Sequence, residues 1–207
     1  NGEATVLADA YNRIGDCHLH VRRFDEAKQY YTRAENLRTP AGDYSYYQLA
    51  LVSGLQKNYD GKIALLNQLA SKYPNSPYAV NALYEKGRSY VQNRNSNQAI
   101  ATFRELLGKY PESPISRKAA TEIGLLYYQN DDYNHAIEAY KYVITKYPGS
   151  EEARLAMRDL KSIYVEANRV DEFAALAAQM PSSIRFEPSE QDSLTYIAAE
   201  KVYMKGE

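Results

Sequence analysis

Cys17, His18 and His20 crowd into four positions near the N-terminus, and side chains of these types can hold a metal ion or support thiol catalysis. Their spacing argues against both uses. Residues one or two apart on a helix point to different faces, so the two imidazoles do not converge on one ion and Cys17 turns away from His18. His135 stands far from the other histidines. The acidic pairs Asp131-Asp132 and Glu151-Glu152 fall at a turn and a helix start, where carboxylates favour the positive end of the helix dipole. No Gly-rich phosphate loop, nucleophile elbow or histidine pair at helical spacing occurs. We expect no catalytic residue, no metal and no cofactor. The abundant residue is tyrosine, 21 against 4 Phe and no Trp. Its ring packs while its hydroxyl needs water or a partner, which suits thin helical layers or an aromatic ligand groove.

Charge narrows the partners. Basic and acidic side chains nearly cancel, 25 against 26, with a pI of about 6.4. No basic run exceeds two residues, so a nucleic-acid interface is not expected. One cysteine leaves no intrachain disulfide. No apolar run approaches the roughly 20 residues that cross a bilayer, so no membrane insertion is expected of these residues. The chain starts with Asn rather than Met and its first helix begins almost at once, which reads as part of a longer protein.

The elements that position these residues are set by a phrase written three times. Lys72-Tyr73-Pro74-Asn75-Ser76-Pro77, Lys109-Tyr110-Pro111-Glu112-Ser113-Pro114 and Lys146-Tyr147-Pro148-Gly149-Ser150-Glu151 place proline at 74, 111 and 148, a period of 37. A fixed period of this size means stacked supersecondary units. Between copies the pattern splits into two helices. After Pro114, which suits a first helical position, apolar residues recur at Ala119, Ala120, Ile123, Leu126 and Tyr127. Asn130-Asp131-Asp132 breaks the helix, and Tyr133, Ala136, Ile137, Tyr140, Val143 and Ile144 form the next apolar face. Lysine closes that helix, proline ends it, and serine caps its successor. The same grammar predicts helices near 4–20, 24–38, 43–57, 60–73, 77–93, 97–110, 150–168 and 170–180. A connector over 182–190 leads to one more helix from Asp192 to Tyr203. No strand signal occurs.

These units resemble the tetratricopeptide repeat. The fourth, from Arg117, offers Gly124, Tyr127, Ala136, Tyr140 and Pro148; the third, from Val80, offers Gly87, Tyr90, Ala99, Phe103 and Pro111; the first, from Ala8, offers Gly15, Ala27, Tyr31 and Ala34. The second, from Asp43, departs with Lys62 at a small position, and the fifth, from Arg154, departs with Lys161 and Phe173. The resemblance implies an all-α, right-handed superhelix of antiparallel helix pairs. A single array would run over 8–41, 43–79, 80–116, 117–153 and 154–190, with 191–207 the first helix of a truncated sixth repeat. The 37-residue pitch with Tyr-Pro-x-Ser-Pro links is also similar to the repeats of bacterial envelope proteins, among them a periplasmic coordinator associated with Tol-Pal and a lipoprotein of the outer-membrane barrel assembly machine. The Tyr- and Asn-rich texture is similar to long repeat proteins of Bacteroidetes-type bacteria. A periplasmic or outer-membrane-associated place is therefore expected.

In this family the first helices line a concave groove through the second, fifth, ninth and twelfth residues of each repeat. That implies Asp9, Asn12, Asp16 and Leu19; Tyr44, Tyr47, Leu51 and Gly54; Asn81, Tyr84, Arg88 and Val91; and Lys118, Thr121, Leu125 and Tyr128. Tyr and Arg dominate many interfaces, so the expected protein- or peptide-binding strip is Tyr44, Tyr47, Asn81, Tyr84, Arg88, Lys118 and Tyr128. Two other readings stand beside this one. The array could be a spacer that self-associates through the apolar face of its last helix, or the regulatory part of a larger enzyme or sensor.

Overall fold

The computed structural model describes residues 2–179 and residue 196, and those residues form ten α-helices with no strand. The chain divides into two compact units, the second beginning at Ser116. In the first unit α1 (Gly2–His20) packs on α2 (Phe24–Asn36), α3 (Gly42–Leu55) on α4 (Tyr59–Lys72), and α5 (Ala79–Gln92) on α6 (Ser96–Lys109). Successive pairs stack through α2 on α3 and α4 on α5. The second unit holds α7 (Pro114–Gln129) from Ser116 on, with α8 (Tyr133–Lys146), α9 (Glu151–Glu166) and α10 (Val170–Ala178). The fold is all-α, built from helix pairs of tetratricopeptide type. The expected connector over 182–190 and the helix from Asp192 to Tyr203 lie outside the described residues, apart from Tyr196, which is helical and exposed.

Each helix pair is closed by the same turn. Arg22, Lys57, Arg94, Asp131 and Asn168 take φ between 56° and 61°. The next residue's N–H then reaches back five residues, from Arg23 to His18 O, Asn58 to Ser53 O, Asn95 to Tyr90 O, Asp132 to Tyr127 O and Arg169 to Tyr164 O, at 2.7–2.9 Å. This closure satisfies carbonyls that a helix end leaves orphaned. Asn58, Asn95 and Asp132 then cap the second helix, each accepting from the backbone N–H three residues on. One short segment therefore ends one helix and starts the next.

The links between pairs follow the proline phrase with one difference. Tyr73, Tyr110 and Tyr147 leave the helical region, with φ between −134° and −125°, as a residue before proline must. Ser150 caps α9 through Ala153 N–H at 3.0 Å, and Ser113 Oγ accepts from Ile115 N–H at 3.3 Å. Ser76 does not cap a helix. Its hydroxyl donates to Asp43 Oδ2 at 2.6 Å and accepts from Tyr78 N–H, and α5 begins only at Ala79. The buried carboxylate of Asp43 recruits the serine that the sequence grammar assigns to capping.

Within a pair the helices meet over a matched large and small residue. A Cβ placed on Gly15 would lie 2.6 Å from the Tyr31 ring, and one on Gly124 would lie 2.7 Å from the Tyr140 ring. Gly87 stands against Phe103 in the same way. All three rings are fully buried. The second repeat uses the pair Ala50 and Leu66, a larger small residue with a smaller large one. The fifth repeat reverses the order, with Phe173 buried against Tyr164 at 5.7 Å and Ala177 four residues on. Inserting Gly124→Leu overpacks this contact, and urea unfolding is expected to show a loss of about 1–3 kcal/mol. Gly124→Ala combined with Tyr140→Leu, which reproduces Ala50 and Leu66, is expected to cost less than the sum of the two single changes.

Candidate binding cleft

A cleft of about 710 Å³ opens in the first unit between the α1–α2 turn, the C-terminal half of α3 and the middle of α5. Leu19, Phe24, Leu51, Leu55, Tyr59 and Tyr84 give it apolar walls. Arg22, Arg88, Lys62 and Glu85 supply its charges. Its floor departs from the repeat pattern. Lys62 occupies the place of Ala27, Ala99 and Ala136, and its side chain is only 10% exposed. A Cβ on Gly54 would lie 2.9 Å from Lys62 Cδ, so the stem fits because Gly54 stands where other repeats carry Leu19, Val91 and Tyr128. The Lys62 ammonium forms an ion pair with Glu85 of the following repeat. A lysine can enter such a layer only when its charge is met, since an unpaired buried charge is costly.

The expected strip divides. Tyr84 and Arg88 line the cleft, with Leu19, Leu51 and Gly54 from the same groove positions. Tyr84 also leans on Phe103, ring centroids 5.8 Å apart. Tyr44 and Tyr47 are half-buried, Tyr44 tying α3 to α1 and Tyr47 meeting the link that leads into α5. The Tyr44 hydroxyl donates to Asp16 Oδ1 at 2.8 Å, and Tyr47 stacks on Tyr78 at 5.2 Å. Asn81 is half-buried on α5. In the second unit Lys118 is exposed, and the Tyr128 hydroxyl donates to Glu166 Oε1 at 2.8 Å. Of the first repeat's groove positions, Asn12 is buried and accepts from Ser45 Oγ at 2.9 Å, while Asp9 pairs with Arg13.

Carboxylates answer the surplus of tyrosine hydroxyls. Tyr31 and Tyr44 both donate to Asp16, Tyr46 to Glu35, Tyr128 to Glu166 and Tyr140 to Asp159. Burial, aided by Asp16, pushes Tyr44 up to about 12, and burial beside Glu85 does the same for Tyr47. Burial also drives Tyr31 and Tyr140 well above the ordinary phenol value. Among the described residues no group of three His, Cys, Asp or Glu could hold a metal ion, and no helix is long and apolar enough to cross a membrane.

Comparison with known proteins assigns the family. The outer membrane lipoprotein family YfiO matches residues 79–199, from the first residue of α5 onward. The chain belongs to the YfiO family. Tetratricopeptide repeat families match residues 8–39 and 44–76 of this YfiO-family chain. No curated protein matches it. Among solved structures, one titled crystal structure of MamA protein is similar with a TM-score of 0.65 at 20% identity, covering 100% of this chain and 96% of that one. A tetratricopeptide repeat protein from Parabacteroides merdae gives a TM-score of 0.66 at 17% identity, with 96% and 73% covered. MamA from Desulfovibrio magneticus gives 0.63 at 17% identity, with 81% and 89% covered. These likenesses show the fold, an all-α array of tetratricopeptide-type helix pairs.

Sequence reasoning singled out Lys62 only as a departure and passed over Glu85, Phe24, Leu55 and Tyr59. The available signal was the coupled exchange at positions 54 and 62, glycine where others are large and lysine where others are small. Tyr44 and Tyr47 of this YfiO-family chain also make its stability sensitive to alkali. Their folded values lie above the ordinary value of 10, so the neutral phenol is what the fold prefers. That stabilisation is complete below about pH 10 and is lost as pH rises through about 12. Thermal midpoints are expected to fall from pH 10 upward, and Tyr47→Phe to make the fall shallower.

Proposed function

We propose that these residues form a non-catalytic scaffold of the bacterial cell envelope, on the periplasmic side of the outer membrane, that seats a protein or peptide segment in the cleft of the first unit. The cleft itself carries this reading. It is open, its walls are aliphatic and aromatic, and Arg22, Arg88 and Lys62 outnumber Glu85. A segment presenting apolar side chains together with a carboxylate matches both features, and concave sites of this kind take extended or helical peptides. Tyr84 and Arg88 are the anchors of the proposal. Tyr44, Tyr47 and Asn81 hold the first-unit surface on which they sit, and Lys118 with Tyr128 is a candidate contact surface of the second unit. The family match to outer membrane lipoproteins supports the location.

A photoreactive benzoylphenylalanine tests the site in living cells. Placed at Leu55, which is exposed on the cleft wall, it is expected to form a covalent adduct with the partner. Placed at Leu155, exposed on α9 of the second unit, it is not. Arg88→Glu is expected to cut the Leu55 adduct about tenfold while the helical circular dichroism stays unchanged. Equal adducts at both positions, or indifference to Arg88→Glu, would overturn the assignment.

A further inference from the structure

The outer face of α1 is built like an internal surface. In α3 the third, seventh and tenth residues of the repeat are Ser45, Leu49 and Val52, all at most 7% exposed. In α9 the same positions are Ala156, Leu160 and Ile163, each 0% exposed, and in α5 Ala82 and Ser89 are likewise buried. What covers these positions is the preceding repeat, chiefly its second helix. α2 packs on α3, with Ala27 and Tyr31 in one apolar cluster with Leu49 and Val52, and α8 packs on α9. In α1 the equivalent residues are Ala10, Ile14 and Cys17. They have the same small, large, apolar character, yet Ala10 and Cys17 are exposed and Ile14 is 38% exposed. Val6 continues the stripe at 72% exposure. Asp9 and Arg13, which lie beside the stripe, form an ion pair with each other.

We propose that this face is an open stacking surface that seats the second helix of a further tetratricopeptide repeat, arriving from the N-terminal side of α1 as α8 meets α9. The occupant carries a small residue, a large apolar residue four positions on and another apolar residue three beyond that. Ala27, Tyr31 and Ala34 follow this pattern, as do Ala136, Tyr140 and Val143. The argument is continuity: α3 and α9 bury all three positions under such a helix, α5 buries two of them with Lys86 half-buried at the third, and α1 keeps the composition without the cover.

Cys17, the chain's one thiol, reports on the face. Copying residues 117–150 directly ahead of Thr5 sets a second α8 before α1 at the spacing at which α8 precedes α9. A second form carries residues 43–76 with Lys62→Ala, which sets α4 before α1 as it stands before α5. In at least one extended chain, maleimide labelling of Cys17 is expected to slow tenfold or more and the melting temperature to rise. Ile14→Asp is expected to leave melting of the unextended chain unchanged and to restore fast labelling in the extended one. Equal labelling rates in all chains would overturn the proposal. Protection of Cys17 in the unextended chain that grows with concentration would overturn it too, since the face would then join two copies of this chain.

Discussion

Two helices can approach closely only where one of them gives up its side chain at the contact, and each repeat of this protein is organised around that requirement. Gly15, Gly87 and Gly124 leave no room for a Cβ because Tyr31, Phe103 and Tyr140 fill the space above them. Those rings are the largest fully buried groups of their layers, so the contact carries much of the apolar area that each pair removes from water. It also sets the approach of the helices, and with it the faces left to meet the neighbouring repeat. The Ala50 and Leu66 pair shows that the constraint is on combined volume rather than on glycine itself.

The backbone supports this packing by repeating one solution to its hydrogen-bonding problem. Five left-handed residues, none of them glycine, end the first helices, and three of the residues that follow cap the second helices through their side chains. Left-handed backbone costs a residue with a Cβ about 1–2 kcal/mol, a cost offset by the carbonyls that the closure satisfies. Because the turns and the proline links keep constant length from the second repeat onward, equivalent residues return every 37 positions there, after a first interval of 35. That regularity is what makes a local exception conspicuous.

Lys62 is such an exception. At a position that elsewhere holds alanine, its stem uses the volume that Gly54 gives up, and its charge finds Glu85 on the next repeat. The exchange keeps the layer filled while opening the cleft wall on the side where a leucine, valine or tyrosine would stand in another repeat. The resulting surface has apolar walls and a charged floor, and it lies among the fifth, ninth and twelfth residues of the repeats. Structure and candidate site thus share one cause, a compensated departure from the packing rule.

Sequence alone determined the helices and their punctuation. Proline, the Lys-Tyr-Pro-x-Ser link and the Asn130-Asp131-Asp132 break act locally, through backbone conformation and the nearest hydrogen bonds, so their effect can be read without knowing what lies across the fold. Expected and observed helix ends agree closely for this reason, as with 60–73 against Tyr59–Lys72. Tertiary structure alone decided which side chains meet. Ser76 reads as a cap until Asp43, 33 residues away, claims its hydroxyl. Tyr44 and Tyr47 read as open groove residues until Asp16 and Tyr78 engage them, whereas Tyr84 and Arg88 keep their place in the cleft. The volume vacated at Gly54 and the carboxylate of Glu85 become partners of Lys62 only once three helices are stacked, because charge pairing and packing depend on distance in space rather than on order along the chain.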